Sequence, residues 1–141
     1  MKNVMLTMIA AGWLLAGCSG GSETKDTAAD WPELESFHEL MAEAWHPVAD
    51  SGNFEPARKG AATLEQEARK WSDAPVPGKL DKQEVSARIR VLLDSCTSFR
   101  KAVEAGRPDS LLRPSLAEMH HLFHKLQESW HHAGQEEGDH H

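Results

Sequence analysis

The chain is poor in cysteine, in basic residues and in long apolar runs. Only 2 of its 141 residues are cysteine, and 15 Lys+Arg stand against 22 Asp+Glu, giving a formal net charge of −7. A nucleic-acid-binding protein needs a clustered basic face, and no such cluster occurs. There is also no glycine-rich phosphate loop and no nucleophile elbow, so we expect no enzyme. This length indicates one domain with short appendages.

The amino terminus has the pattern of a secretion signal. Lys2 precedes an apolar stretch, 4–15, that is too short to span a membrane as a mature helix. The segment Leu-Ala-Gly-Cys that ends at Cys18 resembles the bacterial lipoprotein signal, in which cleavage precedes a lipidated cysteine. The resemblance implies a signal peptide over residues 1–17 and a membrane anchor of acyl chains on Cys18.

Residues 18–30 are rich in glycine, serine and threonine, which predicts a flexible tether after the lipidated cysteine. In the lipoproteins that the signal resembles, an aspartate after the cysteine favours retention in the inner membrane. Because Ser19 occupies that place, we expect an outer-membrane anchor facing the periplasm. Cys96 is then the only free thiol, and a lone cysteine cannot form an intramolecular disulfide.

Beyond residue 30, apolar residues recur at three- and four-residue steps in four stretches, which predicts four helices and no strand. Asp30 and Asp81 are the predicted N-caps of the first and third helices, Gly52 and Gly106 mark turns, and Pro47 predicts a kink. The predicted core residues, in chain order, are Leu34, Phe37, Met41, Trp45, Val48, Ala57, Ala61, Leu64, Ala68, Trp71, Val85, Ile89, Leu92, Cys96, Phe99, Val103, Leu112, Leu116, Met119, Phe123, Leu126 and Trp130.

Short connections between consecutive helices predict antiparallel neighbours. The expected fold is therefore an all-α, up-down-up-down antiparallel four-helix bundle over residues 31–130. Residues 131–141 have almost no apolar side chain, which predicts a mobile tail.

Histidine is the residue that points to chemistry, since the chain has 9 and most lie after position 119. At about 100° per residue, His38 flanks the apolar stripe of the first helix, while His120 and His124 flank that of the fourth. The first and last helices of such a bundle are adjacent, so these three imidazoles are predicted to converge. Neutral imidazoles at one level predict a transition-metal site for Zn, Cu or Ni, with structural histidines as the alternative.

Further ligands are available near this site. Met41 and Glu35 lie within a turn of His38 and could complete a coordination shell, although Met41 is also interpretable as core. His46 is a weaker candidate because it points about 120° or more from the apolar stripe of the first helix, although a kink at Pro47 would change its direction. The tail adds histidines and carboxylates that can capture metal loosely or only aid solubility: His131, His132, Glu136, Glu137, Asp139, His140 and His141.

Several short motifs are similar to those of the periplasmic four-helix b-type cytochromes. They are an Ala-Asp pair ending the first helix, Pro-Gly-Lys-Leu at 77–80, a Glu-Ala-Gly turn ending at Gly106, and Phe-His-Lys around His124. The resemblance implies haem b with His124 as an axial ligand. The family's methionine position falls near His38, so His38 and His124 would form a bis-histidine site. The related cytochrome c-prime bundles need a Cys-x-x-Cys-His motif, which this chain lacks.

Three functions therefore stand open: a metal-binding lipoprotein, a haem-binding electron carrier, and a lipoprotein whose helix faces bind an envelope protein. A di-iron enzyme is disfavoured, because the inward positions predicted for the second and third helices are apolar and supply no bridging carboxylates.

Cys18→Ala is expected to release the protein from membranes, because the apolar stretch at the amino terminus is too short to anchor it alone. Fractionation of cells followed by immunoblotting measures this, with Cys96→Ala as the control that stays membrane-bound. A Cys18→Ala protein that remains in the membrane pellet after loss of its signal would contradict the lipoprotein interpretation.

Overall fold

The computed structural model of the protein describes residues 31–136. These residues form four helices and no strand: α1 (Pro32–Ser51), α2 (Glu55–Asp73), α3 (Lys82–Glu104) and α4 (Asp109–Glu136). The all-α prediction is confirmed, and the helices form a four-helix bundle in which α1 and α3 each pack against both α2 and α4. Over this part of the chain no helix has the length and apolar content to cross a membrane. The signal peptide, Cys18 and the tether lie outside the described residues.

Local signals set several helix ends as predicted. The Asp81 carboxylate accepts the backbone N–H of Glu84 at 2.8 Å, which caps α3. Gly52 and Gly106 have φ of 68° and 67°, a left-handed conformation that a residue without Cβ adopts at low cost. These glycines turn the chain after α1 and after α3.

Two helix ends differ from the sequence prediction. Trp31, not Asp30, occupies the N-cap position of α1, and its side chain makes no capping hydrogen bond. Burial of the Trp31 ring fixes this end instead, since the residue is 1% exposed. The last helix continues beyond Trp130 to Glu136, so the predicted tail starts too early. Ala133 lines a cavity together with Lys79, Leu80 and Val85.

The core consists almost entirely of the predicted residues. Every predicted position of α2 and α4 is buried, and in α3 only Val103 is partly exposed. In α1 the core position is taken by Ala44, while Trp45 is half-buried. The three- to four-residue period therefore identified the inward faces, and Trp45 is left at the edge between α1 and α4.

Three tryptophans close one end of the bundle. The Trp31 ring centroid lies 5.2 Å from that of Trp71 and 5.5 Å from that of Trp130. The ammonium of Lys79 lies 3.4 Å from the Trp130 ring centroid. The beginning of α1 thus meets the ends of α2 and α4, and each aromatic pair contributes about 0.5–1.5 kcal/mol beyond its buried area.

One charged side chain is buried in the bundle, and the sequence did not predict it. Glu65 of α2 is 8% exposed and accepts hydrogen bonds from Thr97 and Arg69, both at 3.0 Å, and from the Nε–H of Arg100. Burial alone would raise the pKa of Glu65, but these hydrogen bonds and the charge of Arg100 outweigh it and hold the pKa below its ordinary value. The carboxylate joins α2 to α3.

Leu92→Ala is expected to lower the free energy of unfolding by about 2–5 kcal/mol, because it opens a cavity where the side chain is fully buried. Val91→Ala is the matched control. Val91 precedes Leu92 on α3 and is 50% exposed, so we expect its replacement to lower the free energy of unfolding by at most about 0.5 kcal/mol. Urea unfolding of both variants measures the difference. Equal losses would mean that the inward face of α3 is misassigned.

Candidate metal centre

The predicted histidines lie where α1 and α4 contact each other. His120 and His124 are one turn apart on the same face of α4, because residues four apart in a helix are neighbours. Aromatic side chains of α1 cover this face: Trp45 stacks on His120, and Phe37 packs against Phe123. Aromatic and imidazole side chains therefore line the contact between α1 and α4.

His120 and His124 are in direct contact. Their Nε2 atoms are 3.0 Å apart, and the two rings are nearly perpendicular at 87°, with centroids 4.3 Å apart. In neutral imidazoles such a contact needs one nitrogen that carries a proton and one that carries a lone pair. A metal ion bound by both rings would take the place of this proton and would need a lone pair on each Nε2 atom.

Gln127 determines which nitrogen of His124 is free. The Nδ1 atom of His124 lies 3.1 Å from the side-chain carbonyl oxygen of Gln127, one turn further along α4. A carbonyl oxygen only accepts, so Nδ1 of His124 donates and its Nε2 keeps the lone pair. His120 then donates from Nε2, and metal binding requires its proton to move to Nδ1. Gln127 thus has the place of an outer-shell residue that orients a ligand.

His120 is the more enclosed of the two imidazoles. Its ring is half-buried and stacks on the Trp45 ring, with centroids 5.0 Å apart and an angle of 21°. Partial burial lowers the pKa of His120, and the neighbouring histidines lower it further, first His124 and then His46 and His38. His120 therefore stays neutral to a lower pH than an ordinary histidine and is available as a ligand at neutral pH.

His38 is near the pair but contacts another ring. It stacks on Phe123 at 5.3 Å between centroids and 10° between planes. The Phe123 ring centroid is also 5.7 Å from that of His124, so this phenylalanine contacts both imidazoles. His38 thus approaches the pair across Phe123, and its charge acts on His120. The structure therefore brings His120 and His124 into contact, whereas the third predicted imidazole, His38, contacts Phe123.

The remaining predicted ligands occupy different environments. Met41 is 1% exposed and belongs to the hydrophobic core, which fits its alternative interpretation as a packing residue. Glu35 and His46 are exposed on α1, and the charge of His46 acts on His120. Over residues 31–136 no three side chains of the His, Cys, Asp or Glu types are arranged to hold one ion. The preformed part of the site is therefore the pair His120 and His124.

Cys96 takes no part in this chemistry. Burial, together with the smaller effect of the charge of Glu65, raises the pKa of its thiol to about 12. A thiol in that environment is neither a nucleophile nor a metal ligand at neutral pH. It packs within the core stripe of α3, as the spacing predicts.

Comparison of the chain with protein-family models, with curated proteins and with solved structures finds no match.

Sequence reasoning missed two residues of the site, Gln127 and Trp45. Gln127 follows His124 by three positions, a spacing that places it on the same face, so the signal was present. Trp45 follows His38 by seven positions and lies on the same edge of α1. It was interpreted as packing because a tryptophan at that spacing usually belongs to the core.

Gln127→Ala is expected to weaken Cu(II) binding by about 10-fold or more, because the Nδ1 proton of His124 loses its acceptor and the ring is free to turn. Gln127→Glu keeps the acceptor and is expected to retain affinity. Competition titration against a chromogenic chelator measures both. Equal affinities of the Gln127→Ala variant and the parent protein would exclude an orienting role for Gln127.

Proposed function

We propose that this protein is a membrane-tethered periplasmic four-helix bundle that binds a transition metal through histidines at the contact between α1 and α4. The observation that carries the proposal is the 3.0 Å approach of the Nε2 atoms of His120 and His124, together with the Gln127 oxygen on Nδ1 of His124. Two histidines four residues apart on one helix face are a recurrent way to bind zinc and similar ions. His46 and His38 are the further imidazoles whose charges act on His120 after that of His124.

The electrostatics of α1 support a cation rather than an anion. The helix contains five carboxylates and neither lysine nor arginine. Within the described residues none of these five carboxylates forms a salt bridge, so their charges are not locally neutralised by a cation. A helix with this charge attracts cations rather than anions. The carboxylates are Glu33, Glu35, Glu39, Glu43 and Asp50.

We also infer that the helices alternate in direction, giving the antiparallel up-down-up-down topology. The meeting of Trp31 with Trp71 and Trp130 supports this, because the start of one helix then contacts the ends of its two neighbours. At the opposite end, Arg58 near the start of α2 donates to the Arg107 carbonyl at 2.8 Å, just before α4 begins. This topology brings the middle of α1 to the level of His120 and His124.

The lipid anchor is part of the same proposal. The signal resemblance at Cys18 supports acylation of the cysteine, and Ser19 supports an outer-membrane position facing the periplasm. The tether over 18–30 would let the bundle stand away from the membrane surface. No catalytic role is proposed, since the site offers ligands and no nucleophile or substrate pocket of its own.

Haem b held by His38 and His124 is the second candidate, and the cytochrome-like motifs favour it. Against it stands Phe123, which contacts both imidazoles and is itself 1% exposed. A flat macrocycle between the two ligands would have to displace this core side chain. A lipoprotein that binds an envelope protein through its helix faces, with incidental histidines, is the third.

His120→Ala and His124→Ala are each expected to weaken binding of Cu(II) or Zn(II) by about 10-fold or more, since each removes one of two preformed ligands. His121→Ala is the matched control, because that residue is adjacent but exposed and outside the pair. Titration of the full-length protein in detergent measures the affinities.

Analysis of the protein purified from cells distinguishes the metal site from the haem protein and from the interaction lipoprotein. Metal analysis and a visible spectrum are recorded on the same sample. Metal that is bound to the parent protein and lost from the His120→Ala and His124→Ala variants supports the proposal. A Soret band assigns the site to haem. Binding that is equally tight in the parent, His120→Ala and His124→Ala proteins would overturn the metal site and leave the interaction lipoprotein.

A further inference from the structure

A groove between α1 and α2 is used neither by the core nor by the histidine pair. We propose that this groove binds the outer face of α3 of a second copy of the chain, so that copies associate head to tail. The inference goes beyond metal binding and does not depend on it, because the groove lies at the contact of α1 with α2 and the histidine pair at the contact of α1 with α4.

The groove has an apolar floor and a polar rim. Its volume is about 290 Å³. Leu64 and Ala44 lie beneath it and are only 1% and 2% exposed, whereas Glu43 on α1 and Lys59 on α2 are exposed at its sides. The complete lining is Leu40, Glu43, Ala44, Pro56, Lys59, Gly60, Thr63 and Leu64.

Gly60 keeps the groove open without a reason inside the fold. A glycine in the interior of a helix is less stable there than alanine. The φ of Gly60 is not positive, and among the described residues a Cβ added to it would meet no atom within 4 Å. Neither backbone strain nor a tight contact in the free bundle therefore requires glycine. A bare backbone at a groove instead permits close approach by another chain.

The negative charge on the α1 side of the groove has no cation in its own bundle. Over residues 31–136 Glu43 forms no salt bridge, whereas Lys59 on the opposite side pairs with Glu55 at 2.6 Å. Glu39 lies one turn before Glu43 on the same exposed face, and like charges four residues apart destabilise a helix. A complementary occupant of the groove therefore brings a cation to the α1 side.

The outer face of α3 has the complementary groups. Ala87, Arg90 and Val91 lie within little more than one turn, and all three are exposed. Val91 is 50% exposed and is one of two large apolar side chains exposed in the described part of the chain, the other being Leu111. Over the same residues Arg90 forms no salt bridge. This face thus combines a small residue, a free cation and an apolar side chain.

The two faces match in size and in charge. In the contact, Ala87 of one copy lies over Gly60 of the other, where two small residues allow the helices to approach closely. Arg90 then lies towards Glu43, and Val91 lies against the apolar lining. The contact thus pairs charge with charge and covers an exposed valine.

The positions of the two faces in the bundle determine the kind of assembly. Within the described bundle α1 and α3 do not pack against each other, because each lies between α2 and α4. The groove and the outer face of α3 are therefore different patches, and a contact between unlike patches repeats from copy to copy. The formal net charge of −7 opposes association at long range. Salt screens that repulsion beyond about 8 Å at physiological ionic strength, so the matched faces decide at contact.

The test cross-links two variants of the full-length protein in detergent. One variant has Lys59→Cys at the side of the groove, and the other has Asp94→Cys, one turn beyond Arg90 on α3. A short bismaleimide joins the thiols, and mass spectrometry identifies the linked peptides, with the parent protein measuring any background from Cys18 and Cys96. We expect about 10-fold more product between the two variants in a mixture than within either variant alone, because a heterologous contact brings unlike patches together.

Exchange of the two charges tests their pairing. Glu43→Arg in the groove variant, or Arg90→Glu in the α3 variant, is expected to lower the yield of the mixed product by about 5-fold or more, because each change places like charges together. Combining Glu43→Arg in one variant with Arg90→Glu in the other is expected to restore the yield. A loss without restoration would contradict the pairing.

Gly60→Leu tests the groove itself. The leucine side chain fills the groove, so we expect the mixed product to disappear. The urea midpoint is expected to rise, because leucine favours a helix more than glycine does, and this rise shows that the fold is intact. Ala62→Leu is the matched control, since Ala62 is exposed on α2 outside the groove and its replacement is expected to leave the product unchanged.

The outcomes decide the inference without involving the histidines. A mixed product that is lost in Gly60→Leu and restored by the charge exchange supports head-to-tail association. Equal yields within each variant and between them indicate a different contact or crowding in the micelle, and overturn it. The absence of product above the parent background, or product that is insensitive to Gly60→Leu, also overturns it. The metal titrations of His120→Ala and His124→Ala decide the proposed function separately.

Discussion

The packing of Phe123 against α1 is the contact on which the site depends. Its ring is buried, lies 5.8 Å from Phe37 and 5.3 Å from His38 between centroids, and neighbours His124 on its own helix. A core residue thereby sets how α4 is rotated relative to α1. That rotation directs His120 and His124 to the edge between the helices, where one ring is covered and the other reaches solvent. The hydrophobic effect that assembles the bundle therefore also orients these two imidazoles.

The two main polar clusters are arranged in different ways. Glu65 is surrounded by Arg100, Arg69 and Thr97, so its charge is neutralised and its hydrogen-bonding capacity is used within the fold. The nitrogens of His120 and His124 instead satisfy each other while the ring of His124 is open to solvent. A cluster satisfied by fixed cations stabilises helix packing, whereas a pair joined by one exchangeable proton can take a metal in its place. This difference distinguishes a structural network from a candidate site.

Much of the fold could be predicted from spacing, because each helix buries one face and the period of that face appears in the chain. Leu112, Leu116 and Trp130 show this in α4, where every predicted core position is buried. Prediction failed where a contact with another helix decided the outcome. Glu65 is buried because Arg100 and Thr97 of α3 pair with it across the contact between the two helices. The partners on α3 leave no local signal in the sequence around Glu65.

By itself, the sequence determined the four helices, the cap at Asp81, the left-handed turn at Gly106 and the placement of His120 and His124 one turn apart. All of these follow from hydrogen bonds and sterics within a few residues of chain. Only the tertiary structure decided that the two Nε2 atoms meet, that His38 stacks on Phe123 and that Met41 belongs to the core. Spacing fixes the direction of a Cα–Cβ bond, but the rotamer beyond it depends on the groups that contact the side chain. Here those groups are the Trp45 ring, which α1 places against His120, and the Gln127 carbonyl, one turn along α4 from His124.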